Sequence, residues 1–389
     1  MNKTFCPLPW KEISSSPSGS IRLCCSSTSS SNLSRYSDGT VAKMSDDLNE
    51  SWNTDFFKNV RQKMLDGVAV SACSNCYKQE AAGMHSERQQ WIDKFPEINP
   101  ATLTTTAELS EVEQLDLRLG RVCNLQCRMC GPYSSTSWDP TWKSLGDLVT
   151  QPDEKAWDKL NQNNWPENPS VWAQFKLFVP NLKRVYLTGG EPFLVSQNKL
   201  FLKFCIESGH ASHIKLRYST NGTIWDADLP EMWSHFEKVT LNFSIDGLEE
   251  VNSYIRYPSR WSQLMKNLDL AMEASKLAPI NISISTSVQA YNIFQIPKLL
   301  AFFRNKNLPV YLDLVHQPSF LSLGVLSPQL SDEAKSNLLN DINHPGVSGL
   351  IELLNSSKHH EWDQFVAYTK KLDEIHGQDL SKTIPELGI

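Results

Sequence analysis

Three cysteines that lie close together in the chain constrain its fold more than any other sequence feature. Cys123, Cys127 and Cys130 have the spacing Cys-x3-Cys-x2-Cys and follow residues 114–119, in which leucine alternates with polar residues. Thiolates bind zinc and iron–sulfur clusters, and zinc sites and ordinary four-iron clusters take four protein ligands. This loop supplies three. A four-iron cluster bound here would keep one iron open for a substrate or cofactor.

A second motif, Thr188-Gly-Gly-Glu-Pro192, follows the predicted strand 184–188. Together with the cysteines it resembles the radical S-adenosylmethionine (radical SAM) superfamily, with Met129 where relatives usually carry an aromatic residue. The resemblance implies a 4Fe–4S cluster whose open iron chelates SAM, which one electron cleaves to methionine and a 5′-deoxyadenosyl radical. It also implies that the turn contacts the methionyl amino group of SAM, through Gly189, Gly190, Glu191 and Pro192.

Polar residues at the ends of later predicted strands extend the resemblance. Relatives use such positions for the SAM carboxylate and ribose, and an arginine after the Ser-x-Asp-Gly motif neutralises the carboxylate. The resemblance therefore predicts a SAM site that includes Ser219, Thr220, Asn221, Ser244, Asp246, Arg256 and Asn292. Ordinary turn chemistry is the alternative explanation, because Asn-Gly and Asp-Gly are common turn dipeptides. His316, at the end of the sixth strand, is a predicted substrate contact or a structural hydrogen-bonding residue.

From residue 114 onward, strand-like segments alternate with helical ones, which indicates parallel βα units. The predicted strands are 114–118, 184–188, 214–219, 240–245, 282–288 and 310–315. We therefore predict an α/β protein, a partial (βα)6 TIM-like barrel of the radical SAM type with a small N-terminal cluster-binding domain and a helical C-terminal extension. The predicted boundaries are 1–108, 109–320 and 321–389. Cys205 lies in an apolar helical pattern and is expected in the core.

The N-terminal segment carries a second metal pattern. Cys6 and Gly19 precede an adjacent pair of cysteines, and a Cys-x2-Cys motif closes the set. This arrangement resembles the auxiliary-cluster modules called SPASM and twitch domains, although in well-known relatives the module follows the barrel. The resemblance implies an auxiliary 4Fe–4S cluster, and the predicted ligands are Cys6, Cys24, Cys73 and Cys76, with Cys25 as a possible additional ligand. A structural zinc would fit the same four thiols. A predicted helix before the Cys-x2-Cys motif carries an apolar residue at every fourth position, which indicates one buried face. These residues are Trp52, Phe56, Val60 and Met64.

Composition favours a cytoplasmic enzyme. The chain has 389 residues, 40% of them hydrophobic, without a long apolar run that would predict a membrane span. The first residues lack the apolar segment of a signal peptide, and nine cysteines without an export signal fit metal ligands or reduced thiols better than disulfides. A net charge of -6 argues against a general nucleic-acid-binding surface.

The function expected from these features is abstraction of a substrate hydrogen by a radical SAM enzyme. The resemblance implies a peptide side chain as substrate, and an electron donor such as flavodoxin or ferredoxin. The alternative substrate is a sugar, nucleotide or other small metabolite that is oxidised or rearranged. A non-catalytic binding protein, stabilised by zinc at both cysteine sets, is the competing class.

Overall fold

A computed structural model of the chain describes residues 3–27, 32–81, 85–162, 164–355 and 360–389. The strands are β1 (Glu12–Ser15), β2 (Ile21–Arg22), β3 (Gln114–Arg118), β4 (Gln126–Cys127), β5 (Arg184–Thr188), β6 (Lys215–Thr220), β7 (Lys238–Ser244), β8 (Arg256–Tyr257), β9 (Ile280–Val288) and β10 (Val310–Leu314). All six predicted strands are therefore confirmed to within two residues at either end. The short strands β1, β2, β4 and β8 were not predicted.

Helices occupy the segments between these strands and the C-terminal part of the chain. They are α1 (Leu8–Lys11), α2 (Leu48–Trp52), α3 (Asp55–Leu65), α4 (Ser74–Ala81), α5 (Glu87–Lys94), α6 (Asp139–Trp142), α7 (Glu154–Gln162), α8 (Pro169–Phe175), α9 (Ser196–Glu207), α10 (Leu229–Trp233), α11 (Glu249–Ile255), α12 (Trp261–Ala274), α13 (Ile296–Asn305), α14 (Pro328–Leu338), α15 (Val347–Asn355), α16 (Trp362–His376) and α17 (Leu380–Thr383). Within the described ranges, no helix is both long and apolar enough to cross a membrane.

The chain forms two compact units. The first contains Met1–Arg121, Asn161–Tyr218 and Met232–Val239, and the second contains Val122–Leu160, Ser219–Glu231 and Thr240–Ile389. The division into a cluster-binding domain, a barrel and a C-terminal extension stays a prediction.

In the first unit, β1, β3, β5 and β6 are parallel neighbours in that order, and β2 pairs antiparallel with β1. Side chains alternate between the two faces of a strand. One face is apolar, with Ile13, Leu115, Leu117, Val185, Leu187, Leu216 and Tyr218 all buried. The other face carries polar and charged residues, unlike the two apolar faces of an ordinary parallel sheet. This polar face is where ligand chemistry is available.

In the second unit, β7 neighbours β9, and β9 pairs with β10 in parallel. Each of these long strands is followed or preceded by a helix that buries an apolar face, as in α13, where Ile296, Leu299, Leu300 and Phe303 are buried. Parallel strands connected through helices define the α/β class, which confirms the predicted fold class. The core position predicted for Cys205 is also confirmed, because its side chain is fully buried.

The helix α3 differs from its prediction in the residues that it buries. Phe57 and Arg61 are buried together with Val60 and Met64, whereas Phe56 is only half-buried. The reason is that α2 ends at Trp52 and a new helix begins at Asp55, which shifts the helical register.

Arg61 is fully buried and donates to main-chain carbonyls instead of an acid. Its Nε and Nη2 lie 3.0 and 2.8 Å from the Pro9 oxygen, and Nη2 lies 3.0 Å from the Trp52 oxygen. Its Nη1 donates to the Thr105 oxygen at 3.0 Å and to Asn53 Oδ1 at 2.7 Å. The guanidinium therefore ties three separate stretches of the N-terminal segment together.

We expect Arg61→Met to lower the free energy of unfolding by about 2–3 kcal/mol, because buried carbonyl groups would lose their donors. Urea denaturation followed by circular dichroism measures the change. Arg35→Met is the matched control, since Arg35 is exposed and donates to the oxygen of Gly39 at the surface. Equal denaturation midpoints for the two variants would contradict the role given to Arg61.

Candidate cluster and SAM site

The loop after β3 brings the three predicted cluster ligands into one group within the second unit. Cys127 is buried, and Cys123 and Cys130 are half-buried. A hydrogen bond between the thiols of Cys127 and Cys130, together with burial, raises the pKa of Cys127, and the same hydrogen bond lowers the pKa of Cys130. Cys123 acts electrostatically on Cys130. Three interacting thiols are a donor set that fits an iron–sulfur cluster with one open iron.

Main-chain hydrogen bonds hold this loop in shape. Cys130 N donates to the Cys127 oxygen at 2.8 Å, and Ser137 Oγ donates to the Cys123 oxygen at 2.7 Å. The strand β4 pairs antiparallel with β8, so that Cys127 lies opposite Arg256. Among the described residues, no three His, Cys, Asp or Glu side chains are spaced to hold a single metal ion.

Arg128, between two of the cysteines, connects the loop to the C-terminal helix α16. Its guanidinium is buried, forms an ion pair with Asp373, and lies 3.6 Å from the ring centroid of Tyr254. The hydroxyl of Tyr368 donates to the Arg128 oxygen at 2.8 Å. This support was not predictable from the sequence, because Asp373 lies 245 residues further along the chain and no local pattern indicates the pairing.

His376, at the end of α16, contacts the same β4–β8 pair. Its ring stacks on Tyr257 with a centroid distance of 3.9 Å, and its Nε2 lies 2.8 Å from Gln126 Oε1. Burial lowers the pKa of His376 to about 4, so the ring is neutral at physiological pH. The C-terminal helix therefore supports both strands that hold Cys127.

Arg256 is the predicted partner of the SAM carboxylate. Its Nε forms an ion pair with Asp246 Oδ2 at 2.8 Å, and its Nη1 lies 3.9 Å from Cys127 Sγ. Burial alone would lower its pKa, but the charges of Asp246 and Cys127 outweigh burial and raise it. The guanidinium is therefore a fixed positive charge beside Cys127, a predicted cluster ligand, and its contact with SAM stays a prediction.

Asp246 and Asn292, also predicted for the SAM site, are bound into the local backbone. Asp246 is fully buried, and its Oδ1 accepts from Ser287 N at 2.7 Å. Asn292 Nδ2 donates to the oxygens of Asp246 and Ser287 at 2.9 and 3.0 Å, and its Oδ1 accepts from Gln289 N at 2.9 Å. Both side chains orient the ends of β7 and β9, and their role in SAM binding stays a prediction.

Asn221 lies against the cluster loop. Its Nδ2 is 2.9 Å from Asn124 Oδ1 and 3.8 Å from Cys123 Sγ. The preceding Thr220 accepts from Gly222 N through its hydroxyl at 3.1 Å, which shapes the turn after β6. Ser219 and Ser244 are half-buried at the ends of β6 and β7. His316 is exposed after β10, and its substrate contact stays a prediction.

The Gly-Gly-Glu-Pro turn follows β5 in the first unit. Gly189 has a φ of 128°, and a Cβ atom there would lie 2.7 Å from the Leu119 nitrogen. Gly190 N donates to the Gly120 oxygen at 3.2 Å. The turn therefore requires glycine at its first position, where backbone packs on backbone. Glu191 and Pro192 are buried, and the Glu191 carboxylate accepts from Phe193 N at 3.2 Å.

The N-terminal cysteines also form a group within the first unit. Cys6 interacts electrostatically with Cys73 and Cys76, and Cys24 interacts with Cys6 and Cys73. The pKa of the Cys25 thiol is raised by burial first and then by the charges of Asp116 and Glu12. Among the cysteines, Cys24 has the largest effect on this pKa. Burial raises the pKa of each of these thiols. The assignment of Cys6, Cys24, Cys73 and Cys76 as cluster ligands, with Cys25 as a possible additional ligand, stays a prediction.

A loop with three thiols on an α/β scaffold fits an iron–sulfur protein. Residues 117–286 match the family model described as the Radical SAM superfamily. This segment is therefore similar to the Radical SAM superfamily of enzymes, whose members use a 4Fe–4S cluster and SAM.

The chain is also similar to individual members of the superfamily. The GTP 3′,8-cyclase of Campylobacter curvus is 24% identical over 263 residues, which cover 63% of this chain and 70% of the cyclase. Native anSMEcpe with bound AdoMet is 17% identical, with a TM-score of 0.43 and coverage of 61% of this chain and 62% of that chain. Streptococcus suis SuiB bound to S-adenosylmethionine is 14% identical, with a TM-score of 0.38 and coverage of 74% and 61%. The matches therefore span less than two thirds of each of these two solved chains.

Proposed function

We propose that this protein is a radical SAM enzyme that modifies a peptide side chain with the help of an auxiliary iron–sulfur cluster. The observation that supports the proposal most is the group of three interacting thiols beside the buried guanidinium of Arg256. Three protein ligands leave one iron of a cubane open, which is the requirement for chelating SAM. A cluster held by Cys123, Cys127 and Cys130 would, when reduced, supply the electron that cleaves SAM to methionine and a 5′-deoxyadenosyl radical.

The protein's own residues position and neutralise the charged groups of this site. The thiolates of the three-cysteine loop bear negative charge, and Arg256 places a permanent positive charge at 3.9 Å from one of them. The amide of Asn221 donates toward the sulfur of Cys123. In the proposed enzyme, SAM is bound by Gly189, Gly190, Glu191, Pro192, Ser219, Thr220, Asn221, Ser244, Asp246, Arg256 and Asn292. A one-electron donor such as flavodoxin or ferredoxin reduces the cluster.

The N-terminal thiols are proposed to hold a second 4Fe–4S cluster with four cysteine ligands. Such a cluster has no open iron, so it accepts an electron but does not chelate the substrate. This favours a net oxidation of the substrate. If only three thiolates bound it, the open iron would hold the substrate directly.

The matched pair Cys24→Ala and Cys25→Ala tests this ligand set. We expect the iron content to fall from about eight to about four atoms per chain in Cys24→Ala and to stay near eight in Cys25→Ala. Iron analysis of anaerobically reconstituted protein gives the count. The reverse result would show that Cys25, and not Cys24, is a ligand. Zinc in place of iron in the N-terminal segment would contradict the proposed auxiliary cluster.

A peptide substrate is proposed because the N-terminal cysteine pattern resembles the auxiliary-cluster modules of peptide-modifying relatives. The similarity to a GTP 3′,8-cyclase favours a second candidate, in which a nucleotide or another small metabolite is the substrate. A short precursor-peptide gene beside this gene would support the first candidate, and sugar- or nucleotide-pathway genes would support the second. Incubation with SAM, reductant and the encoded peptide, followed by mass spectrometry, tests the first directly.

A further inference from the structure

The polar face of the sheet in the first unit contains a group of buried oxygen acceptors. Glu12 of β1 lies opposite Gln114 of β3, and Ser14 lies opposite Asp116. Because side chains two residues apart share a face, all four point to the same side of the sheet. Glu12 and Asp116 are each 2% exposed, and Gln114 is 5% exposed.

One oxygen of each of the three larger side chains has no hydrogen-bond partner within the part of the chain that the structure describes. These atoms are Glu12 Oε1, Gln114 Oε1 and Asp116 Oδ1. The remaining polar atoms are used locally, since the Gln114 amide donates to Glu12 Oε2 and the Ser14 hydroxyl donates to Asp116 Oδ2 at 3.3 Å. Buried polar groups are normally paired, so three unpaired acceptors on neighbouring residues point to a ligand that donates.

The nearby guanidinium of Arg22 does not fill this role. Its Nη2 donates to the oxygens of Cys24 and Cys25 at 3.1 and 2.9 Å, and to the Ser27 oxygen. The charges of Arg118 and Arg22 act on Asp116, and that of Arg22 acts on Glu12, but neither guanidinium donates to the three unpaired oxygens. Arg22 therefore shapes the loop that carries the two cysteines.

We propose that Glu12, Gln114 and Asp116 bind a primary ammonium group of the substrate, an inference that rests on the enzyme function proposed above. An ammonium group has three N–H donors and no acceptor, which matches three unpaired oxygens. Burial raises the pKa of Glu12 and of Asp116, and an ammonium group bound between them favours their ionised forms, which supply the opposite charge and the hydrogen bonds that it requires. A hydroxyl group has only one donor and would leave two of the oxygens unpaired.

The position of this site relates it to the auxiliary cysteines. Ser14 of β1 lies opposite Arg22 of β2, and Arg22 Nη2 donates to the main-chain oxygens of Cys24 and Cys25 at 3.1 and 2.9 Å. A substrate held by its ammonium group would therefore lie beside the proposed auxiliary cluster. Two sources carry this chemistry: a lysine side chain or free amino terminus of a peptide, and an amino sugar.

Binding of paired probes to the full-length, iron-loaded protein tests the inference without any mutation. The peptide pair is Nα-acetyl-lysine methylamide and Nα-acetyl-norleucine methylamide, and the sugar pair is glucosamine and glucose. We expect one ammonium compound to bind at least about tenfold more tightly than its neutral twin in calorimetry, the scale of a charged hydrogen bond. The pair that discriminates identifies the source. Equal binding, or no binding, within both pairs would overturn the inference.

Isosteric variants locate the binding site. We expect Glu12→Gln and Asp116→Asn each to weaken binding of the discriminating ammonium probe about tenfold, because each removes one carboxylate charge. Glu111→Gln is the matched control, since Glu111 is exposed in the turn before β3. Unchanged affinity in both site variants would overturn the assignment. Formation of 5′-deoxyadenosine by the wild-type protein is assayed separately, so a failure of the radical SAM function is distinguishable from a failure of ammonium binding.

Discussion

The Cys127→Ala variant is expected to form no 5′-deoxyadenosine from SAM, while its N-terminal metal stays bound. The physical reason is that each thiolate supplies one of only three protein bonds to the cluster, so the loss of one releases the cluster or blocks its binding of SAM. Cys127 is also the buried member of the three and is fixed by β4. The measurement is chromatographic detection of 5′-deoxyadenosine after reduction with dithionite.

Cys205→Ala is the control for this experiment. Cys205 is fully buried on α9, and burial raises the pKa of its thiol to about 12, so it is a core residue without a role in metal binding. This variant should retain SAM cleavage. Undiminished product from Cys127→Ala would contradict the ligand assignment, whatever the result for Cys205→Ala.

The second large effect is expected for Arg256→Met, which should lower the free energy of unfolding by about 3–5 kcal/mol. The substitution leaves Asp246 as a fully buried carboxylate without its ion-pair partner. The double variant Arg256→Met/Asp246→Asn should be more stable than Arg256→Met alone, because it removes the uncompensated charge. Urea denaturation of the four proteins in this cycle measures the coupling.

Arg256→Lys separates stability from SAM binding. Lysine keeps the positive charge beside Asp246 but lacks the planar fork that binds a carboxylate in two places. We expect SAM affinity to fall by about 1.5–3 kcal/mol in this variant with unchanged iron content. Wild-type affinity would show that Arg256 acts on Asp246 and Cys127 and makes no contact with SAM.

Strands and turns with a clear local sequence pattern were predicted correctly. The strands β3 and β5 match their predicted bounds because leucine and valine alternate with polar residues along them. The glycine at position 189 was recognisable from its motif, and its φ of 128° explains why no other residue fits. Local sequence patterns were therefore sufficient to predict the α/β class and the loop that carries the three cysteines.

Contacts between distant parts of the chain were not predictable in the same way. The strand β1 contains Glu12, Ser14 and Ser15, a polar segment without apolar alternation, yet it pairs with β3 about a hundred residues later. The ion pair between Arg128 and Asp373 connects the cluster loop to α16 across an even longer separation. The acceptor group on β1 and β3 depends on the first of these pairings, so no local sequence pattern could indicate it.

We propose that the loop of Cys123, Cys127 and Cys130 binds a 4Fe–4S cluster whose open iron chelates SAM. Electron–nuclear double resonance of the dithionite-reduced protein, mixed with SAM labelled with ¹⁵N at its amino group, tests it most directly. We expect a hyperfine coupling between the label and the reduced cluster, and we expect this coupling to be lost in Cys127→Ala. An iron-loaded, reduced protein that shows no coupling to the labelled nitrogen would contradict it.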